Sequence, residues 1–293
     1  MRRVALVQRQ IDFWLLGGLS MLVLILLPFT SLQTGALALW APIWLPLIDF
    51  PHFMASYKLA YGRERQFLRT HWVALIVVPI AMLLSLTWGF MVAPAILDTL
   101  ANLIFFAFGW HRARQVYGCM YIYGQYDGYF LSRGQARVLS AITYAIWCSG
   151  FLHIMAYPKP MSFYGLNLWR IEVPTLALKA STAVVLTLSF AFAGILIQRL
   201  VTKRQWPSAC FLIPLIAYVG WTISYLVNFE YFIYLTPTFH SLQYLACVYG
   251  YERPKINSAI KVIIGYLALV LTGYLAFRGV PTALQAQVPQ ALA

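Results

Sequence analysis

Acidic residues are scarce in this chain, and charge of either sign is thin. Only 8 Asp and Glu stand against 21 Lys and Arg in 293 residues, and charged residues total 10% where hydrophobic ones reach 61%. A soluble domain carries about 25% charge, so this composition excludes an ordinary soluble fold. No long polar block is present in which a second domain could form, which predicts one transmembrane domain over 1–280 and a disordered tail over 281–293. Cysteine is also sparse: Cys119, Cys148, Cys210 and Cys247 lie in or beside apolar runs with no CxxC pair, so neither a disulfide framework nor a thiolate zinc cluster is expected. There is no GxxxxGK[ST] for an ATP-driven machine, and no HxxxH, HxxHH or HExxH for a typical membrane desaturase or zinc protease. No lysine sits in mid-helix to form a retinal Schiff base.

What the chain does have is apolar runs of a length that crosses hydrocarbon, about 20 residues each. They fall at 12–32, 36–61, 71–92, 97–118, 138–156, 177–199, 207–227, 229–250 and 258–278. The fold expected is therefore all-α, a polytopic transmembrane bundle of eight to nine helices. The first run follows Arg2 and Arg3 but is too long for a signal-peptide core, and it is read as a helix. With the N-terminus in the cytoplasm, 17 of the 21 basic residues fall on the inner side, and only Lys159, Arg170, Lys179 and Arg278 lie outside. That asymmetry obeys the positive-inside rule. It also accounts for the net charge of +13 without a nucleic-acid partner, and suits an integral protein of a bacterial inner membrane. The connection 157–176, with three prolines and several aromatics, is read as an interfacial loop, with a small lid as the alternative.

Against this apolar background a few polar side chains stand out, and a polar group at membrane depth marks a functional site by default. The stretch 237–255, PTFHSLQYLACVYGYERPK, places His240 and Gln243 in an apolar segment that runs to Tyr249-Gly250. Two other segments share the layout: Asp49 and His52 lead to Tyr61-Gly62, and His111 and Gln115 lead to Tyr117-Gly118. A tyrosine at the headgroup level followed by glycine at a left-handed C′ position makes a helix end, so the three Tyr-Gly pairs serve as depth markers. His52 and His240 each precede their tyrosine by nine residues, roughly 13 Å at about 1.5 Å per residue, and His111 by six, roughly 9 Å.

Within each helix the polar partner is three or four residues from the histidine, on the same face. Those faces are expected to point inward, towards one another. His52, His111 and His240 with Asp49 then form a candidate metal site. Its imidazole and carboxylate donors suit iron, zinc or copper, without thiolate. Gln115 and Gln243 would orient the imidazoles. His71, at the start of the third helix, is a candidate fourth imidazole or an ordinary interfacial residue, whereas His153 lies too near the outer side. Asp98, Asn102 and Glu230 lie near the outer starts of their helices, as an outer polar vestibule or as helix caps. The competing explanation of the histidines is that each bonds a neighbouring helix in a bundle short of polar groups.

The segments DFPH, WHRARQVYG and FHSLQYL, with histidines scattered over several helices, resemble the bacterial Brp/Blh-type β-carotene dioxygenases. The resemblance covers about two thirds of the chain and is one of layout. It implies iron held by histidines inside a polytopic bundle, with His52, His111 and His240 aligned to the ligands, and cleavage of a carotenoid by dioxygen. Asp49 and His71 depart from an all-histidine set. The expected function is thus a membrane metal-dependent oxidoreductase, most simply iron-dependent, acting on a hydrophobic small molecule from the bilayer such as a carotenoid or other isoprenoid. The alternatives are a secondary transporter with a His/Asp proton relay, hinted at by Pro51 and Pro237, and a haem- or quinone-binding subunit.

Overall fold

An apolar run in lipid has no solvent for its amides and must bond them within itself, which only helices or closed barrels achieve. The computed structural model follows that rule and describes residues 4–30, 35–93, 95–157, 162–163, 166–167, 169, 171–256 and 258–282. Arg2, Arg3, Lys159 and Arg170 of the charge count, residues 158–161, 164, 165 and 168 of the connection 157–176 and residues 283–293 of the expected tail lie outside the described residues.

Among the described residues, seven helices are long and apolar enough to cross a membrane: α1 (Arg9–Phe29), α2 (Ala36–Tyr61), α4 (Val73–Met91), α6 (Arg133–Met155), α7 (Thr175–Lys203), α8 (Ala209–Leu226) and α10 (Ala259–Thr282). A short helix α3 (Arg65–Thr70) joins α2 to α4. The other two expected segments are also helical: α5 (Ala95–Asp127), and α9 (Thr236–Glu252), which is entered through a wider turn over Tyr231–Leu235. These two carry His111 and His240. Their own polar residues, Asp98, Asn102, Arg112, Arg114 and Gln115 in α5 and Gln243 and Glu252 in α9, take them below the apolar character of the other seven. Strand is limited, among the described residues, to a hairpin of two residues a side, Ser162–Phe163 and Leu166–Asn167.

Two helix ends differ from expectation. The Tyr117-Gly118 pair does not close α5, which runs to Asp127 and turns at Gly128, whose φ of 68° suits glycine. Residues 119–127, beyond the expected run 97–118, are therefore helix. Tyr249-Gly250 is likewise passed, by two residues. Tyr61-Gly62 does end α2, but Gly62 has φ −80° and not the left-handed conformation. The next helix has a clear start: the Ser132 hydroxyl accepts from the Gln135 amide in a capping box that opens α6.

The chain forms two compact units, Met1–Val4 with Arg69–Leu226, and Ala5–Leu68 with Val227–Ala293. In the first, α5 packs on α4, α6 and α8, and α6 packs on α7 and α8. Gly109 allows the α5–α6 approach, because a Cβ there would stand 2.2 Å from Trp147. In the second, α2 packs on α9 and α10, and α9 also packs on α1. Polar side chains point inward in both units. Asp12, Asp49, Asn102, Thr143, Arg199 and Gln243 are buried, while Phe29, Leu39, Met91, Leu176 and Phe190 are among the most exposed. That inversion is what a lipid solvent selects.

Candidate functional site

The second unit holds the densest polar cluster, and its frame is a parallel pair of helices. Helix α2 begins beside the residue before α9, where the Glu230 carboxylate accepts from the Gly35 amide at the α2 N-terminus. A carboxylate there answers the unpaired amides and positive dipole end of the helix. The same two helices meet again near their C-terminal ends, where Lys58 Nζ lies 2.7 Å from Glu252 Oε2. Between these ties, Thr238 Oγ1 of α9 donates to Asp49 Oδ2 of α2 at 3.1 Å, and the Ser241 hydroxyl faces the same carboxylate. Glu230 thus serves as a cap for a neighbouring helix.

This frame puts His52 and His240 level with one another, as their common nine-residue distance from Tyr-Gly predicts. Both are buried, their ring centroids are 5.2 Å apart, and the planes cross at 66°. Tyr244, one turn beyond His240, stands edge-on to His52 at 4.5 Å. Asp49 is buried one turn before His52, and its Oδ1 receives no hydrogen bond among the described residues. A buried carboxylate oxygen without a donor is costly, and this one belongs to the residue one turn before His52. Imidazole and carboxylate are hard-to-borderline donors that suit a first-row metal, so the residues present fit such an ion.

Gln243 is fully buried, and its Nε2 donates to the Leu16 carbonyl of α1 at 2.7 Å. This bond ties α9 to α1. Leu16 lies inside a wider turn over Trp14–Gly18 where α1 kinks, and such turns leave carbonyls off the helical ladder. Pro51 raises the same problem in α2, since it has no amide to give the Leu47 carbonyl four residues back. The Tyr266 hydroxyl of α10 donates to that carbonyl, and α2 continues unbroken to Tyr61.

In the first unit, His111 and Gln115 are half-buried one turn apart on α5. His71 is exposed before α4, as an interfacial residue would be. The His153 Nδ1 pairs with the Ser149 carbonyl at 2.8 Å within its own helix. Asn102 Nδ2 donates to the Asp98 carbonyl, and its Oδ1 accepts from the Trp169 amide at 2.7 Å, so this pair fastens the connection after α6 to α5.

Thr238, Ser241 and Tyr244 were missed by the sequence reading, although their signal was present. Ser241 lies three residues after Thr238 and Tyr244 four after His240, so each pair shares a face of α9. The fold and this buried polar cluster define a polytopic α-helical membrane protein. No family model, curated protein or solved structure matches the chain.

Proposed function

We propose that the chain is an integral-membrane oxidoreductase whose metal, iron in this reading, is held by His52, His111 and His240 and whose substrate is a lipid-soluble molecule such as a carotenoid or other isoprenoid. The observation that carries the reading is that His52 and His240, both buried, stand with ring centroids 5.2 Å apart in the unit that also buries Asp49. Metal–nitrogen bonds of about 2 Å ask for a grouping of that kind. Asp49, with its unpartnered Oδ1, stands ready as a further ligand or as acceptor of a proton. Bound iron supplies one-electron chemistry with dioxygen; the chain's residues hold the imidazoles in place and keep water out. Apolar and aromatic neighbours such as Phe53 and Tyr244, in ring contact with His52, suit a hydrophobic substrate entering from the bilayer. The charge asymmetry supports a cytoplasmic N-terminus and a bacterial inner membrane.

The reading is tested by expressing the chain in β-carotene-producing cells. Bleaching by the wild type and none by His240→Ala is the expected result. Unchanged pigment with well-folded protein in the membrane rejects the carotenoid.

A further inference from the structure

At one end of the first unit, the turn from α5 to α6 and that from α7 to α8 come together. Ser208 Oγ donates to Asp127 Oδ2 across them at 2.5 Å. Arg199, near the end of α7, reaches under both: its Nη1 donates to the Phe130 carbonyl at 2.6 Å and to Gln135 Oε1 at 3.2 Å, and its Nη2 to Gln205 Oε1 at 3.0 Å. Every one of these acceptors is neutral. The guanidinium is buried, its Nε has no partner, and it lies 4.1 Å from the centre of the Tyr129 ring. Among the described residues none of the groups it bonds is a carboxylate, so the buried cation leaves a positive field at this end of the bundle.

Beside it is a cavity of about 120 Å³ walled by Tyr117, Tyr121, Gln125, Tyr129, Phe130 and Phe211. Tyr129 is 3% exposed, and among the described residues its hydroxyl makes no hydrogen bond, in a wall otherwise mostly aromatic and apolar. Burial pushes this hydroxyl above the usual tyrosine range, although Arg199 opposes the shift, so it remains protonated and a donor. Arg114 extends the positive rim, 5.6 Å above the Tyr117 ring, and Arg133, Arg137, Lys203 and Arg204 are exposed at the same helix ends.

We infer that this cavity seats the phosphate end of an anionic glycerophospholipid, with Tyr129 Oη donating to a phosphate oxygen and the aromatic wall covering the start of the acyl chains. Basic pockets at helix ends on the cytoplasmic side are the common form of such sites. Water alone would satisfy Tyr129, but would bring no negative charge to the Arg199 field, whereas a phosphate brings both.

The test uses full-length protein in nanodiscs of equal parts phosphatidylcholine and phosphatidylglycerol, with the lipid retained after detergent extraction identified by mass spectrometry. Wild type should retain phosphatidylglycerol in preference, and Tyr129→Phe should lower that preference about fivefold. The variant removes a hydroxyl that bonds nothing among the described residues and keeps the ring on which Arg199 stacks. Arg114→Gln, at an exposed position, should move the preference in the same direction. Equal retention of the two lipids, or a preference untouched by both variants, overturns the proposal. Inorganic phosphate that stabilises detergent-solubilised protein as well as the lipid does overturns it too, in favour of a free-anion site.

Discussion

At the scale of single residues, this protein repeatedly uses a side chain to take up a backbone carbonyl that its own helix has released. The Leu16 carbonyl at the α1 kink goes to Gln243, and the Leu47 carbonyl below Pro51 goes to Tyr266. Removing either donor strands a carbonyl with no water nearby, a loss of about 1–2 kcal/mol. Gln243→Leu should therefore lower the midpoint of a thermal melt in detergent, and so should Tyr266→Phe, which keeps the ring. A Gln243→Leu midpoint equal to wild type would show that the α1 kink satisfies itself. Asp49 belongs to the same logic from the other side. Thr238→Val would leave its buried carboxylate with one fewer donor, and a further loss of about 1–3 kcal/mol is expected in the same melt.

Single helices were largely legible in the sequence, since apolar runs bounded by basic loops have only one way to satisfy their backbones. His52 and His240 were legible as a level pair because equal spacing from a common end depends on one helix at a time. What depended on neighbours was not legible. The partners of Gln243 and of the Leu47 carbonyl are set by which helix lies alongside, and nothing local in GYLALV of α10 marks Tyr266 for α2. The end of α5 failed for a different reason: Tyr-Gly is a helix end only when no favourable packing lies beyond it, and Cys119, Met120 and Tyr123 are buried in the continuation. Close approach is a property of element pairs. A Cβ at Gly273 of α10 would stand 2.7 Å from Phe50 Cβ and 3.1 Å from the Phe50 carbonyl oxygen of α2. Gly273→Val should therefore push α10 off the segment that carries Asp49 and His52, at about 1–3 kcal/mol, and cost metal as well as stability. A variant that melts earlier but keeps its metal would separate the packing from the site.

For the whole molecule, the early helices α1 to α3 join the late helices α9 and α10 in one compact unit while the helices between them form the other, a pairing that the order of apolar runs does not reveal. Polar residues gather inside each unit, and the account proposes that three of them, His52, His111 and His240, share one ion. Metal content of the purified protein tests this most directly. Wild type should carry about one equivalent of a first-row metal, and His52→Ala, His111→Ala and His240→Ala should each lose it, while Tyr129→Phe keeps it. Folded wild type without metal after growth in metal-replete medium, or metal that survives all three histidine substitutions, would contradict the account.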